Sequence, residues 1–186
     1  MWFPVDTWGD HAFVCKSASG RSGRHTAIND IISRALSSAN TPSTLEPHGL
    51  VPGTILRPDG ASLLPWSGGK YLAWDATVST TLAASYVVAS STQIGFASTT
   101  AADRKSQKYL GLDPLYRFQP VSLENLGPVC PSTNLFFSVL GRKISSVSGD
   151  PKETLYLRQR LSICLQRYNA ILLKQSFIDN FPPLDE

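Results

Sequence analysis

The sequence predicts an α/β fold, with a mixed central sheet flanked by helices and a helical extension at the carboxyl end. Three observations lead to it. Ile28, Ile31, Ile32, Ala35 and Leu36 recur with the spacing of one helical face. Two apolar-rich runs flank Ser67-Gly68-Gly69, a turn-forming tripeptide, and so read as a hairpin. Asp150-Pro151-Lys152-Glu153 combines a cap, a proline at the first helical position and an acid in the first turn, which together open a helix.

Taken in order, the first helix is expected over Ala27 to Leu36, with Thr26 as its cap and Pro42 beyond its end. A short strand over Ser43 to Glu46 leads into a loop from His48 to Leu56, which carries Gly49, Pro52 and Gly53. The hairpin runs from Asp59 to Trp66 and from Lys70 to Val78. Val87 to Thr100, rich in Ser, Thr and Ala, reads as a surface loop. A helix over Ala101 to Leu112, a strand over Tyr116 to Leu123 and a helix over Ser132 to Val147 follow. The last helix begins at Asp150 and extends to about Lys174, with Leu155, Leu161, Leu165, Tyr168 and Leu172 as its apolar side.

A chain of 186 residues suggests one domain with a short appendage. It is long enough to bury roughly two-thirds of its unfolded surface without disulfides. Hydrophobic residues at 42% against 17% charged argue against disorder. Cys15, Cys130 and Cys164 are odd in number and far apart, which is not a disulfide framework and points to a reducing compartment. No apolar run approaches the roughly 20 residues that cross a bilayer, so no membrane partner is expected. The first residues lack the basic and apolar stretches of a signal peptide, so a nuclear or intracellular location is expected.

The net charge of +3 is too small to imply nucleic-acid binding, but basic residues are concentrated between Arg142 and Lys174. On the last helix Arg160 and Arg167 are seven residues apart and nearly aligned, with Lys174 one heptad further. Such a stripe suits phosphate contacts that position a nucleic acid without reading its sequence.

The hairpin register carries the chemistry. With the turn at Ser67 or Gly68, Asp59 lies opposite Asp75 or one pair diagonal to it, and paired residues share a face. Ala61, Ala73 and Thr77 would accompany the acids, leaving Leu64, Trp66, Leu72, Trp74 and Val78 for the core. Two adjacent carboxylates repel unless a cation sits between them. A divalent metal with oxygen ligands resolves this, and Mg²⁺ is the usual one in phosphate chemistry. Lys105 and Lys108, at i and i+3 on the predicted helix, could stabilise an attacking hydroxide or the charge developing on phosphorus.

Three blocks occur in order: Arg57-Pro58-Asp59, then Leu72-Ala73-Trp74-Asp75-Ala76-Thr77-Val78, then Lys105-Ser106-Gln107-Lys108-Tyr109. Together, over about Arg24 to Glu124, they resemble the restriction-like endonuclease of non-LTR retrotransposons, within the PD-(D/E)XK superfamily. The usual lysine of that superfamily would fall on Thr77; the retrotransposon group carries it on the following helix, which fits Lys105 or Lys108. The resemblance implies a PD-(D/E)XK core and an Mg²⁺- or Mn²⁺-dependent domain that nicks target DNA to prime reverse transcription. Its partners would be DNA, and element RNA or a reverse transcriptase. It implies Asp59 and Asp75 as metal ligands, Glu46 as an acid completing the metal site, and one of Lys105 and Lys108 as the catalytic lysine. Arg57 and Lys70 flank the acids and are candidates for phosphate contact.

Trp8 to Cys15, followed by Arg24-His25, resembles the tail of the Cys-Cys-His-Cys zinc knuckle that precedes this nuclease, with His11 and Cys15 as its last two ligands. Its first two cysteines would fall before Met1, and Cys130 and Cys164 lack knuckle spacing. A structural zinc site needs four ligands, so zinc binding is not expected. The division expected is a knuckle remnant over 1–25, a nuclease core over 26–130 and a helical extension over 131–186. The rival readings are a nucleic-acid-binding module without cleavage, which would need no metal, and a relic without function.

Overall fold

The computed structural model describes residues 10–15, 18 and 20–178. In chain order its elements are α1 (Asp10–Val14), α2 (Gly20–Ser38), β1 (Ser43–Leu45), β2 (Gly60–Ser67), β3 (Lys70–Ser79), α3 (Val87–Ser90), α4 (Phe96–Lys108), β4 (Tyr116–Glu124), α5 (Pro131–Ser148) and α6 (Glu153–Ile178). The strands form a mixed sheet in the order β1-β2-β3-β4, antiparallel except for the parallel pair β3–β4. A parallel pair needs a crossover, and α4 supplies it.

Alternation along β3 and β4 separates the two faces of the sheet. Leu72, Trp74, Ala76, Val121 and Leu123 join Ile28, Ile32 and Leu36 of α2, Phe136, Phe137, Leu140 and Ile144 of α5, and Leu157, Leu161 and Leu165 of α6 in one core. Asp75 and Glu124 project to the other face, which α4 covers. No described helix is long and apolar enough to cross a membrane.

Several boundaries differ from those the sequence predicts, each through a tertiary contact. Helix α2 begins at Gly20, so Thr26 lies within it and is not its cap. The added turns pack on α6 through small residues. A Cβ at Gly20 would stand 3.0 Å from Leu172, and one at Gly23 would stand 3.0 Å from the Tyr168 ring. The loop expected over Val87 to Thr100 holds α3 and the first turn of α4. There the Ser98 N–H donates to Glu124 Oε1 at 3.0 Å, placing a carboxylate from β4 at the positive end of α4.

Leu64, assigned to the core by alternation, is 49% exposed. Strand β2 is irregular between Ala61, paired with Ala73, and Pro65, paired with Tyr71, and this turns Leu63 and Leu64 outward. Ser62 Oγ fills the interrupted ladder, accepting from the Leu72 N–H at 2.9 Å. On α6, Leu155 is 51% exposed, while Leu157, Leu161, Leu165 and Leu172 form the buried side. On α5, Phe137 is buried and Val147 is exposed.

Gly60 fixes the end of the hairpin that matters for the site. It pairs with Trp74 across the ladder, and a Cβ there would lie 2.2 Å from the Trp74 ring. The indole therefore lies against bare backbone, where its Nε1–H donates to Asn29 Oδ1 at 2.9 Å. Gly60→Ala should expel the indole and cost at least the 1–3 kcal/mol or so typical of overpacking. Urea unfolding followed by tryptophan fluorescence measures this, and an unchanged midpoint would refute the contact.

Candidate active site

The ladder pair Gly60–Trp74, continued by one step, sets Asp59 across from Asp75. Asp59 Oδ2 accepts from the Ala76 N–H at 2.6 Å, so the first acid leans onto the strand that carries the second. His25 Nε2 lies 2.9 Å from the same oxygen. Asn29, four residues on in α2, brings its Nδ2 within 3.4 Å of both ring nitrogens. Asn29 in turn holds Trp74, so a chain of polar contacts links the core to the first acid.

Asp75 is 2% exposed, and a buried carboxylate needs cationic partners. Lys105 Nζ donates to Asp75 Oδ1 at 2.5 Å. Lys108 Nζ stands 3.7 Å from Oδ2 and lies over the Tyr109 ring, 4.8 Å from its centroid. Of the two lysines proposed from spacing, Lys105 makes the direct bond. Tyr109 is buried, stacks on Phe118 at 4.6 Å and donates its hydroxyl to Arg57 O at 2.8 Å. That bond ties the segment preceding Pro58-Asp59 to the end of α4.

Protonation follows this geometry. Burial pushes Asp59 up, but hydrogen bonds from His25 and the Ala76 N–H outweigh it and hold the carboxyl below its ordinary value. The bond to Asp59 raises His25 against the smaller, opposing effect of burial. Burial and the neighbouring Asp75 raise the Tyr109 phenol, which therefore stays protonated.

The other predicted residues lie apart from this cluster or at its margin. Glu46 turns outward through a positive φ of 51° and pairs with Arg57 Nη2 at 2.8 Å. It does not join the acids: among the described residues, no three His, Cys, Asp or Glu side chains are grouped to hold a metal. Arg57 is engaged by Glu46 and by His48 Nε2 at 3.3 Å. Lys70 sits at the hairpin tip, five residues along β3 from Asp75 and so roughly 17 Å from it at the usual rise per residue. Arg160 and Arg167 are exposed on α6, with Arg160 3.8 Å from Glu153. His11 lies in α1 and Cys15 just after it, while Trp8 and Gly9 fall outside the described residues.

Spacing alone did not select His25, Asn29 or Gly60. A signal for Asn29 was present: it is a polar residue at i+4 from His25, on the helix side that carries Ile28 and Ile32. Compared with known proteins, the chain matches no family model and no curated relative.

The His25–Asp59 pair stabilises the fold in a defined pH window. The contribution of Asp59 is present above its ordinary pKa and fades as pH falls through its lowered value. That of His25 is present below its ordinary pKa and fades as pH rises through its raised value. In metal-free NMR titrations the His25 ring should titrate above the ordinary 6.5 or so, and Asp59→Asn should bring it down. A His25 titration indifferent to Asp59→Asn would contradict the pairing.

Proposed function

We propose that the chain is a metal-dependent DNA endonuclease domain that hydrolyses phosphodiester bonds and derives from a retrotransposon. The observation that carries this is the meeting of Asp59, Asp75 and Lys105, from the start of one strand, the next strand and the following helix. That is the order of acid, acid and displaced lysine in the family the three sequence blocks resemble. A mixed sheet flanked by helices is compatible with the PD-(D/E)XK core the resemblance implies.

The donor set fits a hard divalent cation. Mg²⁺ is commonly held by one or two carboxylates, with substrate phosphate and water completing its shell, and two carboxylates from adjacent strands meet that need. Asp59 and Asp75 would hold Mg²⁺ or Mn²⁺; when bound, the cation supplies Lewis-acid stabilisation of phosphoryl oxygens and a more acidic water. Lys105, the ammonium nearest Asp75, stabilises negative charge as it develops on the phosphate. Asp59 keeps its anionic form because His25 and the Ala76 N–H both donate to it. Tyr109 positions the Arg57-Pro58-Asp59 segment through Arg57 O.

A second reading, a nucleic-acid-binding module without cleavage, has one observation in its favour. Each acid already has a cationic or hydrogen-bonding partner within the protein, Asp59 in His25 and Asp75 in Lys105.

Nicking of supercoiled plasmid separates the two. The chain should nick in Mg²⁺ and not in excess chelator. Asp75→Asn should abolish nicking while leaving the fold intact. Lys105→Ala should reduce it by about 10²–10³-fold, the usual cost of removing one charge-stabilising donor, and Lys108→Ala should cost less. Absence of Mg²⁺-dependent nicking by the wild-type chain would favour the binding module, and undiminished nicking by Asp75→Asn would remove Asp75 from the site.

A further inference from the structure

Beside the acids lies a cavity of about 230 Å³ between the first turns of α2, the edge of β3 and Lys105. Its charge is one-sided. Arg21, Arg24, His25 and Lys105 line it and no carboxylate does. Two of these reach the acids on their other side: His25 holds Asp59 and Lys105 holds Asp75.

Arg24 is the unusual member. It is 3% exposed, and its Nη1 is buried without a hydrogen-bond partner. A buried guanidinium left unpaired is costly. Among the described residues no carboxylate pairs with Arg24 or Arg21. Burial, together with the positive charge of Arg21, lowers Arg24 to about 10. Both features describe a cationic pair assembled without its counter-charge. Arg21 is itself anchored, donating to Cys15 O at 3.1 Å.

The sheet edge adds donors. Strand β3 runs to Ser79, but its pairing with β2 stops at Gly60–Trp74, so β2 leaves the edge of β3 uncovered from there on. The Ala76 N–H at that edge is taken by Asp59, and strand alternation aims the Val78 N–H the same way, into the cavity wall. Thr77 also lines the cavity. Guanidinium forks with backbone and hydroxyl donors suit the tetrahedral oxygens of a phosphate.

We propose that this cavity is a phosphate subsite for a nucleic-acid strand, holding the backbone phosphate next to the one that reaches Asp59 and Asp75. The assignment of the strand rests on the nuclease reading; the anion site rests on the cavity itself. Its role is positioning, since Arg21 and Arg24 would fix the strand while the acids and Lys105 act on it.

The test is metal-free binding of a short fluorescent DNA, measured by anisotropy in chelator across a salt series, so that cleavage plays no part. Arg21→Gln and Arg24→Gln should each weaken binding and each reduce the slope of log affinity against log salt by about one unit. Because Arg24→Gln removes a buried group, Arg24→Lys and Arg21→Gln are read beside it, and circular dichroism confirms the fold. Inorganic phosphate should compete with the DNA in the wild-type chain. A folded Arg21→Gln or Arg24→Gln variant that binds DNA with wild-type affinity and slope would overturn the subsite, whereas Arg24→Lys keeps the charge and should keep the slope. Arginine-dependent binding of inorganic phosphate with no arginine effect on DNA would overturn its assignment to a strand. If the slopes fall but plasmid is never nicked, the subsite stands and the nuclease reading fails.

Discussion

A carboxylate buried between the sheet and its crossover helix determines much of this architecture. Asp75 is almost wholly out of water, and a polar group in that position is costly unless cations and donors are built around it. The parallel pairing of β3 with β4 forces a crossover over that face, and the crossover is the helix that carries Lys105. The same helix is anchored at its other end by Glu124, from the far end of β4, which accepts from the Ser98 N–H and hydroxyl. One helix thus has a carboxylate at its start and gives an ammonium to a carboxylate near its end, both favourable for its dipole.

The first acid is held by different means. Asp59 precedes the pairing of β2 with β3, and its side chain takes the Ala76 N–H where a ladder carbonyl would otherwise lie, while its own carbonyl accepts from the Glu46 N–H at 2.8 Å. The bare backbone of Gly60 lets Trp74 lie flat, Trp74 holds Asn29, and Asn29 holds His25 against Asp59. The core and the polar cluster are therefore coupled through one indole. A change in packing at Gly60 should be felt at the carboxylate, although Gly60 carries no reactive group.

Much of this was legible in the sequence because it depends on local patterns. The hairpin was visible from Gly68-Gly69 and α6 from Asp150-Pro151, whereas Asp59 comes opposite Asp75 only because two register shifts along β2 offset a turn that lies further along than the count assumed. What was not legible depends on contacts distant in sequence. The early turns of α2 are stabilised by α6 packing against Gly20 and Gly23, and the start of α4 by a carboxylate 26 residues away. The irregularity that exposes Leu64 is bridged by the Ser62 hydroxyl, which no alternation rule anticipates. Spacing could not choose between Lys105 and Lys108, since both face the same way; the distances to Asp75 distinguish them. Lys70 and Glu46 flank the first acid in sequence, but their side chains do not join the cluster: one is at the hairpin tip and one is turned outward by its backbone.

The central claim is that Asp59 and Asp75 form one cation site. Mn²⁺ binding followed by electron paramagnetic resonance tests it directly, with short DNA present to supply phosphate ligands. The wild-type chain should bind Mn²⁺ in competition with Mg²⁺, and Asp59→Asn and Asp75→Asn should each abolish that binding while remaining folded. Mn²⁺ bound equally well by either variant, or not at all by the wild-type chain with DNA, would contradict the account.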